Sequence, residues 1–504
     1  MKKLAEYIQL HPLRFLLFIG FIPRLLAAIF SKGYGMVDDH FVVIEIAQGF
    51  VDGHDIGNWL PKEGEDNASK RSVLYTGLHY YLFLFLEWIG ITGAQFKMYI
   101  VRLIHAAYSL LTIHFGYKIA LKLSNKNTAF TIGLLLALFW FMPVLSVRNL
   151  IEVACIPLLM IAGYHLIIAE EKKSPLTYFL LVGIALGFAF SIRYQTLFFT
   201  GGAGIALLLM KKWKECITVA IGVLMPMVFI HGFIEGTIMG YPFFGKVINY
   251  VQYNMINKSL YGTQPWYNYI LMLTGLLVLP ISLFIQFGFF RNWKKHLVLF
   301  LPTLIFFIFH SYFPNKQERF ILPIIPFIII LGYMGWDEFR KHSGFWNKNQ
   351  KLLKGFWFFF WVFNFTFLLL TSTFYTKRAR VEAMRYLSTK NDVENIIVEN
   401  SNRNGTVSMP LFYSEQWPAE FELNKTFNLD SLTLELNNVE ADSLPNYIVF
   451  IDDKNLKQRV AALKPLYSNL KFEKEVRTSF MDKVLHWLNP KNKNEEIFIY
   501  KIES

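Results

Sequence analysis

Residues 16–30 read LLFIGFIPRLLAAIF, and residues 31–41 follow as SKGYGMVDDHF. The first stretch is almost wholly apolar, whereas the second is polar and carries two adjacent acids. A bilayer core about 30 Å thick needs roughly 20 apolar residues in one helix. The apolar run therefore predicts a first membrane span over 13–31, which we expect to be retained because no convincing small-residue cleavage site follows it.

The rest of the chain repeats this alternation of apolar runs and polar loops. Hydrophobic residues make up 54% of the 504 residues and charged residues only 17%, against about 25% charged residues in an average soluble domain. This balance excludes disordered, collagen-like and coiled-coil proteins and predicts an all-α polytopic membrane protein. The predicted spans are 13–31, 97–121, 128–147, 153–169, 176–192, 196–210, 215–234, 266–290, 296–313, 319–337 and 355–374.

The apolar stretch at 74–92 is a separate case, because it contains His79 and Glu87 and is short for a span. If this stretch lies at the membrane surface or dips in without crossing, the later loops rich in Lys and Arg fall on the side of the N-terminus. A basic excess of this kind marks cytoplasmic loops. The charge distribution thus predicts eleven crossings, a first external loop at 32–73 and an external C-terminal tail.

Residues 376–504 differ from the preceding part in charge and pattern. Residues 1–375 contain 32 Lys and Arg against 18 Asp and Glu, a net +14, whereas the tail contains 18 against 19, a net −1. The basic excess belongs to the membrane part, so we expect no nucleic-acid partner. In the tail, strand-like runs alternate with helical patterns, which predicts a separate small soluble α/β domain. The strand-like runs are 396–399, 446–451 and 497–502, and the helical patterns are 377–389 and 454–465.

Six polar clusters fall in the predicted external loops. Polar groups at membrane depth are costly, and they indicate a functional site by default. Solvated loop ends are the alternative for any one cluster, but chance would scatter six clusters over both faces. They are VDDHF at 37–41, KRS at 70–72, RNLIE at 148–152, IRYQT at 192–196, YGTQPW at 261–266 and PNKQERF at 314–320.

The acid pair Asp38 and Asp39 is the candidate catalytic centre. A carboxylate near apolar walls can deprotonate a hydroxyl acceptor, and general-base help of this kind contributes roughly 10²–10⁴-fold. The neighbouring carboxylate can bind the acceptor or shift the pKa of the first. Two carboxylates could also bind a divalent cation, and acids in an exposed loop are the structural alternative.

Four cations on the same predicted side are candidate phosphate ligands. Arginine presents a planar fork that can hold a phosphate through two hydrogen bonds, and a lipid-linked phosphate would suit this position. Membrane headgroup anchoring is the alternative for the lysines, and an ion pair with Glu318 is the alternative for Arg319. The four cations are Arg71, Arg193, Lys316 and Arg319.

The loop from Tyr261 to Trp266 combines aromatic rings with polar groups. Aromatic residues anchor proteins at the membrane interface. They also form sugar-binding surfaces, because their faces are apolar and their edges polar. Composition alone leaves both interpretations open.

Three of these segments resemble motifs of glycosyltransferase family 22, the polyprenyl-phosphate-sugar-dependent mannosyltransferases. YNMINKSLYGTQPWYNY at 253–269 resembles a family loop that reads YN, then YGT-x-PW, then Y. PNKQERFILPIIP at 314–326 is similar to the family segment HKEERF-x-x-P, with Asn315 in place of His. VDDHFVVIE at 37–45 resembles the acidic first-loop motif, in which Asp39 replaces a Glu and Glu45 fits a later Glu.

This resemblance covers about residues 10–340 and implies a C-type glycosyltransferase fold with about eleven spans. It also implies inverting transfer of mannose from a polyprenyl-phosphate donor to a glycan or glycolipid acceptor on the non-cytoplasmic face. Asp38 would act as general base and Asp39 would orient the acceptor, while Arg319 and Lys316, with Arg193 or Arg71, would stabilise the departing phosphate. Candidate substrate contacts are Glu45, Tyr261, Trp266 and Glu318.

Other interpretations remain open beside this one. A flippase for a lipid-linked glycan would use the same polar face and cations, but it would need no acid pair in the first loop. A C-type transferase for another sugar is a second alternative. The transfer scheme needs no metal or other cofactor, and the membrane would be the plasma membrane in a bacterium or the endoplasmic reticulum in a eukaryote.

The predicted topology can be tested with reporter fusions in the full chain. Fusions after Asn127, Lys173, Lys214, Lys295 and Lys348 should report the cytoplasm. Fusions after Ser259 and within the tail should report the outside, because the basic loops then stay on the cytoplasmic face. A tail on the cytoplasmic face would show that 74–92 crosses the membrane.

Overall fold

The structure is a computed structural model that describes residues 2–57, 59–61, 70–260, 262–440, 443–489 and 494–503. The chain forms two compact units, and each is assembled from separate stretches of sequence. The helical unit comprises Met1–Ile29, Gly53–Tyr81 and Ile100–Thr373. The α/β unit comprises Phe30–Asp52, Leu82–Tyr99 and Phe374–Ser504. A division into consecutive domains, 1–375 and 376–504, stays a prediction.

Seven helices in the described part of the chain are long and apolar enough to cross a membrane, and four shorter apolar helices accompany them. These eleven helices (7 + 4) overlap the eleven predicted spans. The long ones are Pro12–Phe30, Ala94–Leu123, Ile151–Ile168, Pro175–Ile192, Trp213–Ile238, Glu318–His342 and Gln350–Ser372. The shorter ones are Lys126–Leu138, Tyr194–Leu209, Ile281–Arg291 and Leu297–Tyr312.

Two predicted spans are each divided into two helices, which corrects the sequence prediction. Pro143 and Pro280 stand at or next to the start of the second helix in each case. Proline lacks an N–H, so it cannot donate the hydrogen bond that would continue the preceding helix, but it fits the first turn of a new one. The helix is therefore interrupted although the apolar pattern continues. Span 128–147 is Lys126–Leu138 and Met142–Ser146, and span 266–290 is Asn268–Leu276 and Ile281–Arg291.

The apolar stretch at 74–92 forms the helix Val73–Trp88, which has 16 residues. This is shorter than the roughly 20 residues that a perpendicular crossing needs. Its position relative to the bilayer, and the side on which the tail lies, stay predictions. Further short helices are Lys2–Leu10, Gly245–Ile256 and Gly344–Lys348.

Glycine allows close helix packing in the helical unit. Helices Pro175–Ile192 and Trp213–Met227 meet at Gly183 and Gly222. A Cβ on Gly183 would lie 2.2 Å from the carbonyl oxygen of Val219, so a larger residue would push the helices apart. Small residues at such contacts are typical of membrane helices, which gain stability from close backbone approach instead of the hydrophobic effect.

Five strands form one sheet in the described part of the α/β unit. They are β1 (Asn395–Asn400), β2 (Glu420–Asn424), β3 (Pro445–Ile451), β4 (Asn469–Val476) and β5 (Ile497–Glu503). The order across the sheet is β2-β1-β3-β5-β4. β1 pairs in parallel with β2 and β3, whereas β5 pairs antiparallel with β3 and β4. Helices of this unit include Arg378–Leu387, Leu429–Leu436, Leu456–Leu463 and Phe480–Leu488.

The predicted strands correspond to β1, β3 and β5, and the predicted tail helices correspond to Arg378–Leu387 and Leu456–Leu463. The sequence patterns missed β2 and β4, which are the two edges of the sheet. β4 reads NLKFEKEV and is largely exposed. Edge strands carry charged residues that discourage aggregation, so they lack the apolar run that revealed the central strands.

Asp482 joins two segments of the α/β unit. Its carboxylate accepts hydrogen bonds from the backbone N–H groups of Lys377 at 3.2 Å and Arg378 at 3.3 Å, at the start of helix Arg378–Leu387. It also accepts from the Ser479 hydroxyl at 2.9 Å and caps its own helix. A carboxylate at a helix N-terminus satisfies unpaired N–H groups and complements the helix dipole. This contact therefore stabilises the start of the tail.

Arg24 is buried in the middle of the first span of the helical unit. Its guanidinium donates to the Ser109 hydroxyl at 2.9 Å and to the carbonyls of Gly20 and Ala137, both at 2.8 Å. A fourth bond reaches the carbonyl of Leu136 at 3.2 Å. An arginine at membrane depth is tolerated when it pairs with groups inside the protein. Arg24 thus connects three helices.

Replacement of Arg24 should destabilise the protein. Arg24→Ala should lower the free energy of unfolding by about 3 kcal/mol, because buried carbonyls lose charged hydrogen-bond donors. The midpoint of thermal unfolding in detergent measures this loss. Arg14→Ala is the matched control, since Arg14 is exposed on the same helix, and its effect should stay within about 0.5 kcal/mol. Equal midpoints for both variants would contradict the structural role of Arg24.

Candidate active site

The predicted acid pair lies in the α/β unit, on a short helical segment of the first loop. Helix Val37–His40 continues into a π-helical turn, Phe41–Glu45, and then into helix Ile46–Val51. Asp38 is partly exposed and Asp39 is buried. Short π-helical turns are rare and are frequent at functional sites. A partly accessible carboxylate therefore stands beside a buried one, as a general-base role for Asp38 requires.

Asp39 holds the backbone that precedes it. Its carboxylate accepts hydrogen bonds from the N–H of Gly35 at 3.1 Å and from the N–H of Met36 at 3.0 Å. Met36 is the N-cap of helix Val37–His40, so Asp39 binds the backbone at the start of its own helix. Asp39 therefore fixes the turn that carries Asp38. This structural role is additional to its predicted role of orienting the acceptor.

Glu45, a predicted substrate contact, is buried and anchored within the α/β unit. Its carboxylate lies 3.4 Å from Nε2 of His40 and accepts a hydrogen bond from the N–H of Phe412 at 3.2 Å. The imidazole of His40 stacks against the rings of Tyr34 and Tyr413, with centroids 4.8 and 5.3 Å away. Because only 4% of Glu45 is exposed, these contacts make it part of the wall that supports the first loop.

Glu420, at the start of β2, was missed by the sequence patterns. Burial raises the pKa of its carboxyl to about 8. The negative charge of Glu45 acts in the same direction, and the hydrogen bond from the N–H of Met409 opposes it. Carboxyl groups with a pKa near neutrality are concentrated at functional sites. A single Glu in a short edge strand carries no motif, so only the fold could reveal it.

Glu152, Arg193 and Arg319 form an ion-pair cluster in the helical unit, the arginine cluster. Glu152 is buried and pairs with the guanidinium of Arg193, and Nε of Arg319 lies 3.5 Å from the same carboxylate oxygen. Both guanidinium groups lie near the ring of Phe320, at 5.4 and 5.8 Å from its centroid. Glu152 is therefore an ion-pair partner of Arg319, whereas Glu318, the partner considered from sequence, is exposed.

Tyr250 marks the point where the predicted arginines converge. Burial raises the pKa of its hydroxyl, and the charges of Arg193, Glu152, Arg71 and Arg319 all act on it. Coulomb interactions weaken with distance, so these charges lie close enough to the hydroxyl to affect its pKa. Tyr250 lies on helix Gly245–Ile256, just before the YN that begins the family-like loop. Of the four predicted phosphate ligands, Arg193 and Arg319 therefore share one acid, and Arg71 also acts on the Tyr250 hydroxyl.

The two family-like loops pair with each other. Thr263 and Asn315 form an antiparallel β-bridge, and the N–H of Gln264 donates to the carbonyl of Pro314 at 3.2 Å. The Lys316 ammonium donates to the carbonyl of Gln264 at 2.9 Å and to that of Phe313 at 2.7 Å. Burial lowers the pKa of Lys316. Lys316 therefore holds the two loops together with two of its three N–H donors.

The remaining predicted contacts are distributed around these loops. Trp266 is 66% exposed, so its ring is accessible to a ligand or to the membrane surface. Tyr269 is buried, and its hydroxyl donates to the carbonyl of Gln317 at 3.0 Å, which adds a further link between the loops. Tyr261 lies outside the described residues.

A second buried polar group lies in the helical unit and was not predicted. The Glu235 carboxylate accepts from the N–H of Val73 at 2.8 Å and lies 2.8 Å from Nδ1 of His231. Lys246 is fully buried, with its ammonium 4.5 Å from the ring centroid of Trp59 and 4.2 Å from that of Tyr241. Burial lowers the pKa of Lys246 to about 8. The isolated Lys gave no motif in the sequence.

The described ranges contain no group of three His, Cys, Asp or Glu side chains placed to hold a metal ion. The acid pair and the arginine cluster belong to different compact units. The acid pair offers a partly exposed carboxylate, and the arginine cluster offers two guanidinium groups that share one buried acid.

The architecture matches solved C-type glycosyltransferases. ArnT from Cupriavidus metallidurans, solved with bound undecaprenyl phosphate, aligns with a TM-score of 0.61 at 13% identity over 99% of both chains. The archaeal oligosaccharyltransferase AglB from Archaeoglobus fulgidus aligns with a TM-score of 0.54 at 10% identity, over 92% of this chain and 73% of the other. At these identities the similarity shows the fold alone. The predicted C-type glycosyltransferase fold with a small α/β domain is confirmed.

The chain belongs to the Alg9-like mannosyltransferase family, whose sequence profile matches residues 15–412. Human alpha-1,2-mannosyltransferase ALG9 is 26% identical over 344 residues, covering 63% of this chain and 53% of the human protein. GPI alpha-1,2-mannosyltransferase 3 of Danio rerio is 22% identical over 321 residues, covering 61% of this chain and 56% of that protein. The chain therefore spans about half the length of these curated relatives. The predicted family and a multi-pass membrane protein are confirmed.

The arginine cluster should depend on the negative charge of Glu152. Glu152→Gln keeps the shape but removes the negative charge that pairs with the buried guanidinium of Arg193 and the partly buried one of Arg319, which should cost about 3–5 kcal/mol of stability. Thermal unfolding of the full chain in detergent measures the loss. Glu171→Gln is the matched control, because the Glu171–Lys122 pair is exposed and is worth at most about 1 kcal/mol. If both variants unfold at the wild-type temperature, the cluster contributes no stability.

Proposed function

We propose that this chain transfers mannose from a polyprenyl-phosphate-linked donor to a glycan or glycolipid acceptor on the non-cytoplasmic face of the membrane. The observation that carries the proposal is the family match over residues 15–412, which includes the acid pair, the arginine cluster and the paired loops. The ArnT structure with undecaprenyl phosphate supports a lipid-phosphate donor on this fold.

The arginine cluster is the proposed donor-phosphate site. During transfer the C1–oxygen bond of the donor breaks, and its electron pair leaves with the phosphate, which gains negative charge. Arg193 and Arg319, with Arg71 near the same tyrosine, would stabilise that charge. Glu152 would hold the two guanidinium planes in place beforehand, so that little reorganisation is needed. The remaining N–H of Lys316 is available for the same phosphate.

Asp38 is the proposed general base. It would take the proton of the acceptor hydroxyl while that oxygen forms the new bond to C1, and the displacement inverts the anomeric centre. One base is enough, because the phosphate departs as an anion and needs no proton, unlike the leaving group of a two-carboxylate glycosidase. Asp39 would position Asp38 through the turn at Gly35 and Met36 and orient the acceptor.

The remaining predicted contacts are proposed to bind the substrate. Trp266 is exposed and would pack against the sugar or the lipid. Glu318 is exposed beside Arg319 and would accept hydrogen bonds from hydroxyl groups. Tyr261 and Glu45 keep their proposed roles near the substrate, with the buried Glu45 acting through the wall of the first loop.

Removal of the base should reduce turnover without loss of folding. Asp38→Asn keeps the size of the side chain but cannot take a proton, so kcat should fall by roughly 10²-fold or more. The measurement is mannose transfer from a polyprenyl-phosphate donor in liposomes, with donor binding followed separately. Donor binding should be retained, because the phosphate ligands are unchanged.

Asp39→Asn is the comparison variant. It should reduce kcat less than Asp38→Asn and should lower thermal stability, because Asn can accept through only one of the two oxygen positions that hold Gly35 and Met36. The opposite ranking of kcat would assign the base to Asp39. Normal transfer by both variants and by the double variant would exclude this mechanism and favour a flippase.

A further inference from the structure

A cleft of about 510 Å³ opens in the α/β unit at the carboxyl ends of β1 and β3. β1 lies between β2 and β3. The chain passes from β1 to β2 on one side and then returns to form β3 on the other side, so the strand order reverses at β1. In open α/β sheets, ligands bind at this kind of strand-order reversal, outside the carboxyl ends. The volume is typical of a small-molecule site. Neither the acid pair nor the arginine cluster lines this cleft.

The charges of the cleft are largely paired with one another. Arg403 pairs with Asp452 at 3.1 Å and also with Glu495, and Lys483 pairs with Glu496 at 2.8 Å. A phosphate or a cation would have to compete with these pairs for its partners. The cleft therefore offers oriented hydrogen-bond donors and acceptors with little excess charge, which suits a neutral ligand that carries many hydroxyl groups.

Thr478 lines the cleft and adds an independent indication of a ligand. It is only 7% exposed, and its buried hydroxyl has no hydrogen-bond partner within the described ranges. A buried polar group without a partner costs about 1–3 kcal/mol. A ligand hydroxyl could satisfy it, because hydroxyl groups both donate and accept.

Trp487 supplies an aromatic surface at the same cleft. It is 80% exposed on helix Phe480–Leu488. Trp is highly buried on average in proteins, so an almost fully exposed indole beside a polar cleft calls for a partner. An indole presents a flat apolar face with a polar edge, which matches the C–H face of a pyranose ring.

We infer that this cleft, the β1–β3 cleft, binds a neutral oligosaccharide that forms part of the acceptor glycan. The identity of that glycan as the acceptor rests on the proposed function. One pyranose would stack on Trp487, while its hydroxyl groups bond to Thr478 and to the paired carboxylates and guanidinium at the base of the cleft. No bond is made or broken here, since the cleft only holds the acceptor.

The test measures binding of mannotetraose to the full chain in detergent by calorimetry. Trp487→Ala should weaken binding about tenfold through loss of stacking. Thr478→Val, which keeps the shape and removes the hydroxyl, should weaken binding about fivefold while thermal stability is unchanged or higher. Phe480→Ala is the matched control, since Phe480 is 77% exposed on the same helix but does not line the cleft, and it should bind like wild type.

Several outcomes would overturn the inference. Absent binding of mannotetraose, or equal binding by wild type, Trp487→Ala and Thr478→Val, would exclude a glycan site in this cleft. Displacement of mannotetraose by inorganic phosphate would show an anion site instead. If Thr478→Val keeps the wild-type affinity and is more stable, the Thr478 hydroxyl does not contact the ligand.

Transfer assays separate this inference from the proposed function. Trp487→Ala should raise KM for a mannose oligosaccharide acceptor but leave kcat unchanged, and Asp38→Asn should bind mannotetraose normally without transferring mannose to it. If transfer is normal and the cleft variants change neither binding nor KM, the glycan site in the cleft is excluded and the proposed function is kept. Binding through the cleft without transfer from any polyprenyl-phosphate donor would reject the proposed function and leave the cleft.

Discussion

A buried charge needs a partner of opposite charge, and this requirement determines how several segments of the helical unit pack together. Glu152 provides that partner for two arginines at once. It thereby connects the start of helix Ile151–Ile168 with the loop at Arg193 and the segment at Arg319. These segments are distant in sequence, but none of their charges could be buried alone at an acceptable cost. The arrangement also holds two guanidinium groups at one acid, which is the preorganisation that their proposed role in phosphate departure needs.

Much of the fold could be predicted because a membrane imposes simple rules on sequence. Each span needs a long apolar run, so runs such as 13–31 and 176–192 correspond to observed helices. The breaks near Pro143 and Pro280 were missed, because hydropathy reports burial and not backbone hydrogen bonding. The same limit explains the tail: β3 is apolar and was found, whereas the edge strand β4 alternates charged and apolar residues and was not.

The candidate site could be predicted only in part. The sequence identified the arginines, because Arg in a predicted external loop or at the end of a span is conspicuous. It could not identify Glu152 as the acid that pairs with both, since Glu152 lies 41 residues before Arg193 and 167 residues before Arg319. Tyr250 and Glu420 carry no motif, and their altered pKa values arise from burial that only the fold creates. Asp39 was recognised, yet its hydrogen bonds to two backbone N–H groups depend on a turn that no residue pattern specified.

The contact between Glu45 and the N–H of Phe412 spans 367 positions of the chain. A ribosome therefore completes the first loop early but supplies its supporting wall only when most of the protein has been made. The hydroxyl of Ser31 likewise donates to the carbonyl of Phe374, at 3.0 Å. Assembly of the acid-bearing loop is thus a late event in biosynthesis, and a prematurely terminated chain would insert its helices while lacking the support for its proposed catalytic carboxylate.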